Sequence, residues 1–539
     1  MVPDKLAKYI GFVSGRDVSS LQFVTSHDEE VFIGDILVVE DVKRKDRKFL
    51  VRVTNVAYGN DNQSQPPEIQ ASRRLLLARH LESMDEESRE RIKKDEDQGG
   101  SRLFLVGICE ILGYTSEIGF IKPKTIPSHY TRVRKLEKED LESIKDGFGD
   151  LVVGKLRSGE DIIDVPVGIH EDLIVWHIGV FSTTGGGKTN TIKRLIGALL
   201  DREGKTAAVA IDPHGEYYSG GGGGRLGLRH HPKAQQYLSY YTTHPQPGDS
   251  AQKLQFMTDD ISINVARDVY GFSDAQSQAV WNLKSAYKSK NWIKVIADED
   301  ADTLKATLNA HDETIRALKA KVQAIMGSSV ISNGLEYESG LDPTKPKSCL
   351  MSMQADLDAG KVVLISGAGL GDRDERLVSA IVASEVLRRN KLLYNLEAEK
   401  FASKPPVMMV LEEAQRVLRK GNALPTYSEI THEGRKFNVG LCCVTQQPKM
   451  IDGECLSQLN TLIILGLADR GDRECLTDTS KQDVSNLAME IQSLMPGECI
   501  ITSPRSPFAV PGKIDLYEDY IANYLPLKVS KVTSDRGFF

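Results

Sequence analysis

One stretch, LIVWHIGVFSTTGGGKTNTIKRLIGALL at residues 173–200, constrains the fold of this 539-residue chain more than any other. It opens with an apolar run rich in β-branched residues, which is typical of a buried strand. A short loop of Ser, Thr and Gly follows, and Lys188 and Thr189 then begin a segment with apolar residues at helical spacing. The stretch therefore predicts a strand, a loop and a helix in succession.

A loop in this context is typical of a phosphate-binding site. Its glycines let backbone N–H groups converge on phosphate oxygens, the lysine reaches the β- and γ-phosphates, and the next hydroxyl ligates Mg²⁺. The chain departs once from the pattern GxxxxGK[ST], since Ser182 stands at the first glycine. A serine still permits a tight turn, so we interpret the loop as a tolerated variant. With ATP and Mg²⁺ as the expected cofactors, the predicted binding residues are Thr184, Gly185, Gly186, Gly187, Lys188, Thr189 and Asn190, with Thr189 on the metal.

Composition excludes several classes of protein. Hydrophobic residues make up 40% and charged residues 27% of the chain, and no apolar run reaches the roughly 18 residues of a membrane span. We therefore expect a cytoplasmic protein without a membrane partner. Seven cysteines without a CxxC pair indicate neither a zinc site nor a disulfide framework. The net charge of −7 argues against a protein that binds DNA over most of its surface, but it is compatible with a local basic patch.

Alternating β-rich and helical regions predict an α/β protein of several domains. Short β-branched runs separated by Gly and Asp turns, at 10–13, 21–24, 30–33, 35–39 and 49–56, predict a small barrel. We predict the N-terminal β-barrel domain at 1–145 with a polar and helical insertion at about 58–100, the first part of an ATPase core at 146–250, an all-α insertion at 251–330, the second part of the core at 331–515 and a C-terminal tail at 516–539.

A second buried strand is predicted within AVAIDPHGEYY, residues 207–217. Strand, helix and strand in this order are typical of a doubly wound sheet, whose ligand groups lie at the carboxyl ends of the strands. Asp212, His214 and Glu216 are therefore expected on the nucleotide side. The glycine run at 219–224, with basic residues after it, fits either a loop that touches a polyanion or a plain surface loop, and both interpretations stay open.

Paired carboxylates follow another apolar run, in VMMVLEEAQRVL at 407–418. Hydrolysis of ATP needs one group that holds the water shell of Mg²⁺ and one that polarises the attacking water. We assign Glu412 to the metal, through water, and Glu413 to the attacking water. Farther on, Gln446 or Gln447 ends a further strand between the two motifs and is placed to sense the γ-phosphate.

These motifs together resemble the HerA family of the HerA/FtsK superfamily. The resemblance rests on five stretches in the family's order, and it covers nearly the whole chain: TTGGGKTNT at 183–191, IDPHGEY at 211–217, LEEAQR at 411–416, EGRKFNVGL at 433–441 and TQQP at 445–448. It implies a RecA-like P-loop NTPase core that forms a homohexameric ring around double-stranded DNA and hydrolyses ATP between subunits. Ser182 departs from the family pattern, and Gln447 stands where relatives often carry Arg.

The resemblance also implies a partner and a role. HerA-like proteins commonly work with a nuclease such as NurA in DNA repair by end resection, or with other effectors in antiphage defence. Two other functions stay open: a coupling ATPase of conjugation or secretion, and a nucleotide-dependent ring that serves as a scaffold for an effector without hydrolysis. Stimulation of turnover by duplex DNA would favour the motor over the scaffold.

A basic residue in the EGRK stretch is the candidate for an arginine finger. We hypothesise that Arg435 acts in trans on the nucleotide of the adjacent subunit, because a planar, permanently charged guanidinium suits the charge spread over the transferring phosphoryl oxygens. Arg416 and Arg419, after the acidic pair, remain alternatives.

Overall fold

The computed structural model describes residues 9–15, 20–26, 28–44, 47–59, 69, 72, 104–117, 119–246, 250–287, 291–332 and 348–524. Contacts divide the chain into two compact units. The first comprises Met1–His170, Ser182–Gly186 and Thr461–Ile514, and the second comprises Glu171–Phe181, Gly187–Asn460 and Asp515–Phe539. Most of the predicted insertion at 58–100 and of the predicted tail at 516–539 lies outside the described residues.

The strands of the described chain are, in order, β1 (Tyr9–Val13), β2 (Leu21–Ser26), β3 (Ile36–Glu40), β4 (Lys48–Gly59), β5 (Phe104–Ser116), β6 (Gly119–Ile121), β7 (Arg132–Lys135), β8 (Leu151–Ser158), β9 (Asp161–Ile169), β10 (Ile178–Phe181), β11 (Ala207–Asp212), β12 (Leu238–Thr242), β13 (Gln252–Lys253), β14 (Phe256–Met257), β15 (Ile331–Ser332), β16 (Val362–Ser366), β17 (Val407–Leu411), β18 (Leu418–Arg419), β19 (Asn422–Ala423), β20 (Val439–Thr445), β21 (Thr461–Ile464), β22 (Glu498–Thr502) and β23 (Val510–Ile514).

The α-helices are α1 (Lys188–Asp201), α2 (Glu216–Ser219), α3 (Ala234–Tyr237), α4 (Ile263–Tyr270), α5 (Asp274–Tyr287), α6 (Trp292–Asp298), α7 (Ala301–Leu308), α8 (Asp312–Met326), α9 (Leu350–Asp358), α10 (Asp372–Leu396), α11 (Ala398–Ser403), α12 (Pro425–Glu433), α13 (Gly453–Ser457), α14 (Arg470–Thr479), α15 (Ala488–Ser493) and α16 (Tyr517–Ala522). None of the described helices is long and apolar enough to cross a membrane.

The first unit begins with the predicted barrel. Strands β2, β1, β7, β3, β4 and β5 pair in this order, and pairing of β2 with β5 closes the ring. Aliphatic and aromatic side chains such as those of Phe23, Val39 and Val51 fill its interior. The strand expected at residues 30–33 does not form; this segment turns instead, because the Asp35 carboxylate accepts a hydrogen bond from the Phe32 N–H at 2.9 Å.

A second sheet of the first unit is antiparallel, in the order β21, β22, β23, β8 and β9. A buried charged cluster lies in the same unit. Glu490 is 2% exposed and accepts a hydrogen bond from the Arg157 guanidinium, while Nε of the fully buried Arg52 lies 3.9 Å from its other oxygen. Arg52 also donates to the carbonyl of Ala509. One carboxylate thus compensates two guanidinium groups that water does not reach.

The second unit is built on a parallel sheet in the order β13, β12, β16, β11, β17, β20 and β10. The central strands β16, β11, β17, β20 and β10 are buried on both faces, which explains their continuous apolar sequences. The predicted core face of α1 is confirmed: Ile192, Leu195 and Ile196 are fully buried and Leu199 is 1% exposed. The α/β core predicted from the sequence is therefore present.

The predicted all-α insertion is also confirmed, with α4 to α8 between Ile263 and Met326. Polar side chains start these helices: Ser262 accepts from the N–H of Val265, and Asp300 accepts from the N–H groups at the start of α7. Trp292 is 1% exposed and donates its indole N–H to the Ile261 carbonyl at 3.0 Å. The insertion thus has an apolar core of its own.

We expect Glu490→Gln to destabilise the first unit strongly. The substitution leaves the buried Arg157 guanidinium without its carboxylate and Arg52 with only that of Glu110, at 3.8 Å, and breaking a buried ion pair costs about 3 to 5 kcal/mol. Scanning calorimetry should show a lower melting temperature. Glu474→Gln is the control, because Glu474 pairs with Arg470 at 2.7 Å on the surface and should change little. Equal shifts in both variants would contradict the importance of the cluster.

Candidate nucleotide-binding site

The loop between β10 and α1 has the backbone that a phosphate-binding loop requires. Gly185 and Gly187 have φ values of +79° and +105°, a backbone conformation that residues with a Cβ rarely adopt. Gly186 lacks a side chain for a different reason: a Cβ at this position would lie 2.2 Å from the hydroxyl oxygen of the fully buried Ser182. Serine at the variant position is therefore part of the close packing of the loop.

Hydrogen bonds within the first unit hold this loop in place. The N–H of Thr183 donates to the carbonyl of Gly466 at 2.9 Å, and the Gly186 carbonyl accepts from the N–H of Gly497 at 3.3 Å. Thr184 and Gly185 at the tip are exposed. A fixed loop with an exposed tip is suited to present backbone N–H groups to an anion.

Three parallel strands of the second unit end together at the predicted site. In β10 and β20, Phe181 pairs with Thr445; in β17 and β20, Leu411 pairs with Cys443. The residues that follow these strand ends are therefore neighbours along one edge of the sheet. This brings the acidic pair and the two glutamines to the same edge, with Gln446 half-buried and Gln447 exposed.

Lys188 and the acidic pair influence one another. Burial lowers the pKa of Lys188, and the charges of Glu412 and Glu413 oppose that effect. Burial, followed by the nearby charge of Glu413, raises the pKa of Glu412 to about 7. A nearby cation stabilises the ionised form of a carboxyl group whose pKa has been raised in this way. Glu412 is therefore chemically suited to bind the water shell of a Mg²⁺ ion.

Glu413 has an unusual backbone and a specific polar neighbour. Its φ of +49° is in the left-handed region, which is costly for a residue with a side chain. Its carboxylate accepts a hydrogen bond from the side-chain amide of Gln415, whose oxygen accepts in turn from the hydroxyl of Thr445. Sequence reasoning assigned no role to Gln415.

The IDPHGEY stretch contacts the acidic pair from the end of β11. Asp212 accepts from the N–H groups of Glu216 and Tyr217 at 3.0 and 2.7 Å and so starts α2; burial raises its pKa to about 6. The hydroxyl of Tyr217 donates to Glu412. Tyr217 is thus a residue of the site that sequence reasoning missed, although it lies within a motif that was singled out.

The side chain of Asn190 forms hydrogen bonds with the segment that leads into α16. Its side-chain amide donates to the carbonyl of Asp515 at 2.9 Å, and its oxygen accepts from the N–H of Tyr517 at 2.8 Å. Farther along α1, Arg194 lies over the ring of Tyr520 at 3.7 Å. The side chain of Asn190 therefore holds the segment that contains α16, and its predicted contact with a nucleotide stays a prediction.

Arg435 lies in the 3₁₀ helix Gly434–Phe437, after α12. Its guanidinium stacks on the ring of Trp176, 3.5 Å from the ring centroid. Stacking holds the exposed guanidinium in one orientation while its N–H groups stay available. The described contacts do not include one between Arg435 and the acidic pair, which is compatible with a role toward another subunit.

His177 is a second residue that sequence reasoning missed. Its Nδ1 accepts a hydrogen bond from the N–H of Leu441 at 2.9 Å, and it has a left-handed φ of +64°. A Cβ on Gly434 would lie 3.4 Å from the His177 ring. This buried imidazole therefore supports both β20 and the segment that carries Arg435.

The loop and the lysine that begins α1 have the arrangement of a P-loop, and the predicted ATPase class is confirmed by the similarity of the chain to HerA helicases. Residues 151–387 match the family model described as the central domain of the helicase HerA. The chain is 28% identical over 433 residues to a DNA double-strand break repair helicase HerA of Sulfurisphaera tokodaii, covering 78% of this chain and 79% of that protein. A probable helicase of Methanocaldococcus jannaschii is 26% identical over 443 residues, covering 80% and 79%. The predicted resemblance to the HerA family is confirmed by these matches.

Solved structures are similar to a more limited extent. The plasmid coupling protein TrwB in complex with ADP and Mg²⁺ has a TM-score of 0.44 at 13% identity, covering 71% of this chain and 93% of that one. VirB4 of Thermoanaerobacter pseudethanolicus has a TM-score of 0.44 at 14% identity, covering 69% and 98%.

We expect the stability of the chain to fall below neutral pH because of His177. Burial, and then the nearby His432, lower the His177 pKa from 6.5 to about 4. Between these values the unfolded state binds more protons, so lowering the pH through this window favours unfolding, by on the order of 2 kcal/mol at pH 5. Urea unfolding at pH 7.5 and 5 measures the difference.

The control substitutions are His177→Gln and His244→Gln. The first should reduce the pH-dependent loss, and the second should keep it, because His244 is exposed. The same pH dependence in wild type and His177→Gln would show that another group is responsible.

Proposed function

We propose that the protein is an ATP-driven translocase on double-stranded DNA that works as a homohexameric ring. The observation that carries the proposal is the common end of β10, β17 and β20, since the sequence after these strands continues into the phosphate loop, the acidic pair and the glutamines. Similarity to DNA double-strand break repair helicases supports DNA as the substrate. The acidic net charge requires that DNA contacts come from a local surface.

Each residue at the edge has a role that its surroundings support. Backbone N–H groups of Thr184 to Gly187 and the ammonium of Lys188 bind the phosphates. Glu413 polarises the attacking water and accepts its proton as the water oxygen bonds to the γ-phosphorus and the bond from that phosphorus to the ADP oxygen breaks. Gln446 or Gln447 contacts the γ-phosphate from the end of β20.

The residues present fit a magnesium ion. Among the described residues no group of three or more His, Cys, Asp or Glu forms an all-protein metal site, and Mg²⁺ normally uses one or two carboxylates together with substrate phosphates. Thr189 and Glu412 would hold it, directly and through water. Bound there, the ion would neutralise charge on the phosphates.

A partner effector completes the proposal. A nuclease of the NurA kind, acting in DNA end processing, or another effector in antiphage defence, is the proposed partner of the ring. The scaffold function and the coupling function remain the alternatives, and the scaffold predicts nucleotide-dependent assembly without turnover.

ATP turnover with and without linear duplex DNA is the first test. We expect stimulation by DNA, and a loss of at least about 100-fold in Lys188→Ala, because the lysine stabilises charge in the transition state. Glu413→Gln should bind ATP without hydrolysing it, since the amide keeps the shape but not the water-polarising charge. Trapping by Glu412→Gln instead would reverse the assigned roles, and normal turnover in Lys188→Ala would exclude this site.

The trans role of Arg435 makes a second prediction. Arg435→Ala and Lys188→Ala should each be inactive, and mixing them under subunit exchange should restore part of the turnover. In mixed rings some interfaces join an intact loop to an intact Arg435; an arginine finger contributes roughly 10³ to 10⁵ in rate. No recovery after confirmed mixing, or normal activity of Arg435→Ala alone, would exclude the role.

A further inference from the structure

An open cleft of about 460 Å³ lies in the second unit, beyond the acidic pair. Its walls come from the start of α10, the 3₁₀ turn after β17, the β18–β19 hairpin and the segment after β20. The lining residues are Asp372, Arg376, Gln415, Arg416, Arg419 and Met450. We refer to these six residues as the arginine cleft.

Its guanidinium groups are weakly compensated. Arg416 approaches the Asp372 carboxylate only to 3.9 Å, with the two side chains 52% and 87% exposed, so this pair is screened by water. Arg376 donates from Nε to the Asp372 carbonyl at 3.3 Å. Among the described residues, no hydrogen bond or ion pair involves the Arg419 side chain. Among its lining residues the cleft thus offers three guanidinium groups against one exposed carboxylate, and the charge of Arg416 also acts on the half-buried Glu375.

The wall that carries Arg419 is anchored at its backbone. The Lys420 N–H donates to the Met450 carbonyl at 2.8 Å, and the N–H of Asp452 donates to the Leu418 carbonyl at 2.8 Å. The N–H of Gly421 donates to the Asp452 carboxylate at 3.3 Å. The hairpin therefore presents Arg419, and Lys420 at its tip, from a fixed support.

Gln415 belongs both to the cleft and to the catalytic edge. Its amide nitrogen donates to Glu413 and its oxygen accepts from Thr445, while the next residue is Arg416. The hydrogen bond from the Gln415 amide occupies one oxygen of the Glu413 carboxylate and holds that carboxylate in one orientation. A ligand that displaces Arg416 therefore changes the geometry at Gln415 and, through it, the position of the Glu413 carboxylate.

We propose that the arginine cleft binds the phosphodiester backbone of DNA and that Gln415 restrains Glu413 until the cleft is occupied. This inference rests on the proposed function and adds to it the contact surface and the coupling residue. Guanidinium groups suit phosphate because of their planar fork, and contacts to phosphates carry no sequence preference. The phosphates of a neighbouring subunit's nucleotide share this chemistry and are the alternative source.

The binding test uses the full-length chain with a non-hydrolysable ATP analogue and a fluorescent duplex. We expect the double substitution Arg416→Ala/Arg419→Ala to weaken DNA binding at least about tenfold, as loss of hydrogen bonds to charged groups implies. The slope of log affinity against log salt should fall by about 2, one for each lost phosphate contact.

Arg388→Ala is the matched control. Arg388 lies on α10 like Arg376, is 58% exposed and pairs with Glu385, but it does not line the cleft. Equal losses in the control and the double variant, or unchanged binding in the double variant, would overturn the assignment. Loss of nucleotide affinity in the DNA-free double variant would assign the cleft to nucleotide phosphates and would also overturn it.

The coupling test measures turnover with and without DNA in Gln415→Ala and Gln415→Glu. Both substitutions remove the amide donor, and the second keeps the shape of the side chain. We expect DNA-free turnover to rise and the stimulation ratio to fall to about one. A merely damaged site would lower both rates, and an unchanged ratio would overturn the coupling role. Wild-type protein that binds no DNA would refute the proposed function itself, whereas normal DNA binding by the double variant would refute only the cleft.

Discussion

The pairing of β20 with β10 on one side and β17 on the other is the constraint on which the site depends. The chain leaves the sheet several times between these strands, and the backbone hydrogen bonds between neighbouring strands bring their ends together. Side chains at the ends need little support of their own, because the register determines where each begins. This is why a serine in the phosphate loop is compatible with the site, whereas a shift of one strand by one residue would reverse its side chains.

Around this edge the polar groups are coupled. Tyr217 donates to Glu412, Gln415 donates to Glu413, and Thr445 donates to Gln415. Buried carboxylates close to each other raise the free energy of the doubly ionised state. Lys188 offsets part of this repulsion from its place at the start of α1. Without a bound nucleotide, the positive charge of Lys188 is thus the partner of the two neighbouring carboxylates Glu412 and Glu413.

Much of this could be predicted from the sequence, since the strand, loop and helix at 173–200 carry local signals that need no distant partner. The helical insertion and the barrel followed from periodicity. The strand predicted at residues 30–33 was wrong, because the prediction relied on their apolar character and did not account for the turn that Asp35 stabilises through the Phe32 N–H. Tyr217 and Gln415 could not be assigned, since each acts through a partner that only the sheet order brings near. The assigned roles of Glu412, Glu413, Arg435 and the glutamines remain predictions.

The contact of Asn190 with Asp515 and Tyr517 has a consequence for how the chain is made. The amide and the Asp515 carbonyl are 325 positions apart, yet they fasten the helix that begins with Lys188. At synthesis rates of about 5 to 20 residues per second, the partner emerges roughly 15 to 65 s after the helix itself. During that interval the phosphate loop exists without its support on the far side of α1. In a nascent chain the phosphate-loop motif is therefore made well before the segment that supports α1 from its other side.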